Sequence, residues 1–201
     1  MKESLSPRIL CIHASERARG NSRALYDEAI KGAESAGARI ERLAVRDLEF
    51  EPCISCNGCD ATGECVIHDD MHRVYALLRE CDRFLIASPI YFWSLPGRFK
   101  CLIDRCQAFW VKKFVLGEKV AANASGMERR AAFISVCGFS DGDKMFPSAE
   151  KIIRAFLSCI DVKLTDTLYV PGADRVGAVL EKPELLKAAF QTGRSLAAPT
   201  P

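Results

Sequence analysis

The stretch Cys53-Ile-Ser-Cys56-Asn-Gly-Cys59-Asp-Ala-Thr-Gly-Glu-Cys65 sets four thiols within thirteen residues, with gaps of two, two and five. A cubane iron–sulfur cluster takes four thiolates at its corners, and two-residue gaps let one loop present three of them. The bacterial cluster-binding run has gaps of two, two and three and ends in proline. Here the last gap is longer and Val66 follows. Zinc also takes cysteine quartets, but its usual sites use two CxxC pairs well apart in sequence. Disulfides would close very small loops, and a cysteine-rich turn of bare thiols needs no metal. Spacing alone leaves a [4Fe–4S] cluster, zinc, disulfides and bare thiols open, with the cluster the best match.

Two further stretches carry polar or planar recognition chemistry. Ser15-Glu-Arg17-Ala-Arg-Gly20-Asn21-Ser22 leads straight into a helical pattern. A helix N-terminus offers unpaired N–H groups and partial positive charge to a phosphate. Ser15, Asn21 and Ser22 add short donors, Arg17 a charged fork, and Gly20 room for close approach. The same residues also suit an ordinary helix cap and a solvated arginine. Neither GxGxxG nor GxxxxGK[ST] occurs, so the usual dinucleotide fingerprint and the nucleotide P-loop are both absent. Ser88-Pro89-Ile90-Tyr91-Phe92-Trp93-Ser94 sets three aromatics in an irregular segment, suited to holding a planar ring or filling an apolar corner. Cys137-Gly138-Phe139-Ser140 is a candidate third wall.

The elements that must position these loops alternate in type. Apolar runs at Arg8–His13, Arg83–Ser88 and Arg130–Cys137 read as buried parallel strands, and Ala38–Ala44 and Lys163–Tyr169 as two more. Helical patterns run from about Ser22 to Gly37, from Asp69 or Asp70 past Leu78, over Pro96–Trp110, over Pro147–Cys159 and over Lys182–Leu196. Strands separated by helices imply a parallel sheet covered on both faces. Five strands in this length favour an α/β, flavodoxin-like, doubly wound sheet of order 2-1-3-4-5, with ligands beyond the carboxyl ends of the strands.

Bulk composition narrows the class. A chain of 201 residues, 49% hydrophobic and 27% charged, suits a single globular domain over 1–201. A net charge of +2 argues against a nucleic-acid or anionic-membrane partner. No apolar run is long enough to span a bilayer. The first residues lack a signal peptide's apolar segment, which points to the cytoplasm. Ten cysteines in a reducing compartment suggest metal or redox chemistry. His13, His68 and His72 are too scattered to mark a general base, and the two ends (Met1–Ser6, Ala198–Pro201) read as loose.

Together, the phosphate-type loop, Ser88-Pro89-Ile90-Tyr91 and Gly97-Arg-Phe-Lys100-Cys-Leu-Ile-Asp104-Arg105 resemble the flavodoxin-like NAD(P)H-dependent FMN reductase superfamily. The cysteine loop followed by Asp69-Asp70-Met71 is similar to that of its iron–sulfur flavoprotein branch. Ala14 and Glu16 stand where glycine and proline are common in the superfamily. The resemblance implies that Ser15, Arg17, Asn21 and Ser22 hold the FMN phosphate. It implies that Pro89, Ile90, Tyr91 and Phe92 line the ribityl chain and ring, beside which Cys137 and Gly138 remain the third wall read from their place after the fourth strand. It further implies a [4Fe–4S] cluster on Cys53, Cys56, Cys59 and Cys65. The activity implied is transfer of electrons from NADH, NADPH or a ferredoxin-like protein to a small-molecule or protein acceptor, by a homodimer or homotetramer. An electron carrier or redox sensor without its own substrate, and a zinc-stabilised binding module, are the competing classes.

Overall fold

The computed structural model describes residues 6–123 and 125–199, without the side chain of Asp143. The expectation of loose ends falls in part on residues 1–5 and 200–201, outside the described residues. Five strands, β1 (Arg8–His13), β2 (Arg39–Ala44), β3 (Arg83–Pro89), β4 (Arg130–Val136) and β5 (Lys163–Val170), form one sheet. Its order is β2-β1-β3-β4-β5 and every pairing is parallel. The expected topology therefore stands, and each strand lies within a residue or so of its predicted span.

Period-two alternation divides the core. Ile9 and Cys11 of β1, Leu85 and Ala87 of β3 and Ile134 of β4 face α1 (Asn21–Ser35) and α6 (Pro183–Ala197). Leu10 and Ile12, Phe84 and Ile86, and Phe133 face the other layer. That layer holds α2 (Met71–Glu80), α3 (Gly97–Arg105), α4 (Gln107–Trp110) and α5 (Phe146–Cys159). The central strands are buried on both faces, which is why they read as continuous apolar runs.

On the first face, α1 and α6 meet backbone to backbone. A Cβ on Gly32 would lie 1.9 Å from the Phe190 carbonyl oxygen, and one on Gly193 1.7 Å from that of Ala29. The two glycines are thus reciprocal, each admitting the other helix. On the second face, Arg129 is buried and donates to the carbonyls of Leu78, Cys81 and Ile160, at the C-terminal ends of α2 and α5. A cation at two helix C-termini opposes their partial negative charge.

One expectation needs correction. The helical pattern over Pro96–Trp110 is not one helix but two, broken at Cys106, whose backbone sits near φ −74°, ψ 8°. A wider π-type turn, Val111–Val115, follows. Neither glycine nor proline announces the break. It falls where the chain serves two surroundings: Leu102, Cys106 and Phe109 join the core, while Arg105 and Ala108 face the cysteine loop. The stretch from there to β4, longer than a minimal connection, packs on its own domain. Ala122 N–H bonds the Arg79 carbonyl, and Asn123 and Ser125 bond the Asp82 carboxylate.

Candidate functional site

The loops after β1, β3, β4 and β5 enclose one cleft of about 730 Å3 at the carboxyl edge of the sheet. That volume lies in the range of small-molecule sites. From the first loop come Ser15, Arg17, Gly20, Asn21 and Ser22. From the third come Pro89 to Trp93, and from the fourth Cys137, Gly138 and Phe139. All ten residues singled out in the sequence around a ligand thus line a single space.

The first wall is a helix start that no side chain caps. Gly20 precedes α1 in extended conformation, and no acidic residue stands in the first turn. The Arg23 N–H bonds the Gly20 carbonyl, which leaves the Asn21 and Ser22 N–H groups open to an anion. Ser15 is buried and its Oγ accepts from the Arg17 N–H at 3.1 Å, curling the loop. Glu16 is exposed and does not line the cleft, so its carboxylate stays clear of that wall. A Cβ on Gly20 would meet only Arg17, at 3.5 Å, an ordinary contact. The protein itself does not require glycine there.

Asn21 is engaged differently from the sequence-based expectation. Its Nδ2 donates to the carbonyls of Ala173 and Arg175, both at 2.8 Å, and its Oδ1 accepts from the Val179 N–H. Both amide hydrogens and the oxygen are in use, so Asn21 offers a ligand its backbone rather than its side chain. What it does is fix the segment after β5. That segment brings Ala173 and Asp174 into the cleft, two wall residues that sequence reasoning missed. Met145 is a third.

The aromatic wall is a strained hairpin. Tyr91 and Ser94 exchange both backbone hydrogen bonds at 2.9 Å, leaving Phe92 and Trp93 as a two-residue turn. Their φ angles are +46° and +62°, the mirror-turn geometry usually given to Asn and Gly. Phe92 is fully exposed at the tip. The Ser148 hydroxyl donates to the Trp93 carbonyl and ties the turn to α5. Bulky residues in left-handed conformation are costly and persist where surroundings enforce them, often at functional sites.

The four cysteines of the loop after β2 line a separate recess of about 260 Å3, walled also by Arg105, Gln107 and Ala108. Ser55 and Asn57 take positive φ there, curling the chain around the space. Burial pushes the Cys59 thiol up, and charge on Asp60, Cys65 and Cys53 adds to it. Among the described residues no group of three or more His, Cys, Asp and Glu side chains is arranged to hold a single metal ion. The four thiols are lining residues of one recess.

Arg105 organises this recess. It is buried, and its Nη1 donates to the Glu51 carbonyl at 2.7 Å and to Asp69 Oδ2 at 2.5 Å. Its Nη2 reaches Asp69 Oδ1 at 3.1 Å and the Ile67 carbonyl at 3.3 Å. One guanidinium therefore pins the chain on both sides of the cysteine run. Burial opposes its charge, but Asp69, Tyr75 and Cys65 outweigh that and hold it above the ordinary arginine range. Asp69 also accepts from the N–H groups of Met71 and Glu51. Lys100 and Asp104, by contrast, form an exposed pair one turn apart on α3.

A parallel 2-1-3-4-5 sheet, with a phosphate-type helix start and an aromatic loop sharing one cleft at its carboxyl edge, defines the flavodoxin-like flavoprotein class. Within that class the chain belongs to the NADPH-dependent FMN reductase family, whose model matches residues 7–145. It is 33% identical over 123 residues to an iron–sulfur flavoprotein of Methanocaldococcus jannaschii, covering 61% of this chain and 63% of that one. It is 31% identical over 118 residues to an iron–sulfur flavoprotein of Methanosarcina thermophila, covering 59% and 62%. The matches thus span less than two thirds of these relatives' length. Among solved structures, the NAD(P)H:quinone oxidoreductase from Methanothermobacter marburgensis superposes with a TM-score of 0.72, covering 98% of both chains at 15% identity. At that identity the likeness shows the fold. No helix among the described residues is long and apolar enough to cross a membrane.

Proposed function

We propose that this chain works as one domain, an FMN-dependent oxidoreductase that moves electrons from NADH, NADPH or a ferredoxin-like protein to a small-molecule or protein acceptor. The observation that carries this reading is the single cleft joining an uncapped helix start and Arg17 to the Pro89–Phe92 hairpin and Cys137-Gly138. The donor set fits FMN. The first-turn N–H groups, the Ser15 and Ser22 hydroxyls and Arg17 suit its phosphate, and the apolar, aromatic walls suit its ring. When bound, FMN takes up a hydride and releases electrons singly or in pairs.

The protein's part is positioning. Asn21 fixes the β5 loop against α1, so the phosphate wall and the wall bearing Asp174 keep a constant spacing. The hairpin is locked by its paired hydrogen bonds and by Ser148, which orients the aromatic wall. No side chain is required as nucleophile or general base.

Cys53, Cys56, Cys59 and Cys65 are proposed to hold a [4Fe–4S] cluster, supported by all four residues lining one recess of about 260 Å3. Such a cluster, when bound, exchanges single electrons. A homodimer or homotetramer in the cytoplasm completes the reading, supported by Phe92, Trp93 and Phe139 standing exposed at the cleft rim.

The test is direct. Anaerobically purified protein should be yellow, release FMN on denaturation, and oxidise NADH or NADPH with a quinone, free FMN or ferricyanide as acceptor. A protein that is colourless and fails to bind added FMN would overturn the flavin reading. A yellow protein without turnover would instead be an electron carrier or sensor, and stoichiometric zinc without visible absorbance would mark a binding module.

A further inference from the structure

A guanidinium carries five N–H donors in a fixed fork. Four of those on Arg105 match four acceptor contacts: the Glu51 carbonyl, the Ile67 carbonyl and the two oxygens of Asp69. The fifth, on Nε, is buried and finds no acceptor with hydrogen-bond geometry. The Arg105 side chain is 0% exposed, although the residue stands in the wall of the cysteine recess. A buried N–H left unpaired is costly and rare in a native structure.

Among the described residues, Arg105 is also the only arginine in the wall of the cysteine recess. The Tyr75 hydroxyl donates to the Arg105 carbonyl at 2.9 Å, which fixes this residue's backbone as well as its guanidinium.

Resting on the cluster reading above, we infer that Arg105 is a positioning residue for the group held by the quartet, and that its Nε–H donates to a sulfur in the recess. The Nη groups set the loop, and Nε completes the sulfur's hydrogen bonding. A cationic donor to a sulfur stabilises the more electron-rich, reduced state, so it raises the reduction potential.

The test uses the full chain with its iron reconstituted anaerobically. Asp69→Asn leaves Nε in place, whereas Arg105→Lys keeps the charge but removes the fork and its Nε–H. Arg105→Lys is expected to lower the potential by at least a tenfold change in the reduction equilibrium, 59 mV for a one-electron couple. Asp69→Asn is expected to lose iron faster than wild type at a near wild-type potential. An Arg105→Lys protein with the wild-type potential would overturn the inference.

Should Arg105→Lys fail to hold iron, wild-type protein labelled with 15N-arginine decides the matter. Pulsed electron paramagnetic resonance of the reduced cluster should show a coupled 15N, and its absence would overturn the inference alone. A wild-type chain that binds no iron would overturn the cluster reading and this inference with it.

Discussion

Arg105 and Asp69 meet end on across 36 residues of sequence, Nη1 2.5 Å from Oδ2 and Nη2 3.1 Å from Oδ1. The arginine side chain is wholly buried and the carboxylate nearly so. Removing one partner of such a pair leaves the other charged and unpaired in the interior. Arg105→Met should therefore lower unfolding stability by about 3–5 kcal/mol. Urea unfolding followed by circular dichroism measures this, and a loss near zero would show the pair to be incidental.

Acid should weaken the fold through His13. Its ring is buried at the end of β1, 5.3 Å from Tyr26, with neither nitrogen hydrogen bonded. Burial pulls its pKa down to about 4; Arg23 and Arg46 add to this, while Asp27 and Asp47 oppose it. The unfolded chain takes up the proton near the ordinary histidine value of ~6.5, so it binds more protons than the folded chain below that pH. Stability is expected to fall between about pH 6.5 and 4, by an amount on the order of 3 kcal/mol. His13→Phe should flatten that limb of the stability curve, and an unchanged slope would refute the assignment.

The strained hairpin predicts a trade between stability and binding. Phe92→Asn and Trp93→Gly both install residues that accept positive φ, so each should raise stability by about 0.5–1 kcal/mol. Both also strip an aromatic from the cleft wall. Flavin affinity, read by fluorescence quenching, should drop in the same variants. A variant that gained stability and kept full affinity would remove the aromatics from the binding account.

The two polar residues of the first loop should separate cleanly. Arg17→Ala removes a charge-assisted contact to a phosphate, expected to weaken FMN by roughly tenfold or more while riboflavin is unaffected. Asn21→Ala orphans two carbonyls and an N–H, so it should lower stability by ~1–3 kcal/mol and weaken FMN and riboflavin alike. Equal loss of both flavins in Arg17→Ala would place that side chain away from the phosphate.

Much of this architecture is legible in the chain because parallel strands buried on both faces leave uninterrupted apolar runs, as in Phe84-Leu-Ile-Ala87. The cleft loops were legible for a related reason: ligands in such sheets gather at the carboxyl edge, which narrows attention to a few segments. What escaped was long-range pairing. Asn21 reads as a cap or phosphate donor, and only the folded chain reveals acceptors more than 150 residues away. Asp174 lies in a stretch without a motif, and it becomes a wall residue through that same clamp. The break at Cys106 has no propensity signal, since packing on two sides decides it. The close approach of Gly32 and Gly193 was equally hidden, because a helical glycine looks like a weak spot until its neighbour is known.

Arg105 grips the chain at Glu51 on one side and at Ile67 and Asp69 on the other, so the residues between leave and re-enter the domain at anchored stems. None of the five strands runs through that interval. The cysteine run is thus held at both ends by one side chain and seated in between, with Gly63 against Lys112 and Cys65 against the core, so a change in its length would be felt at the π-type turn as well as at the stems.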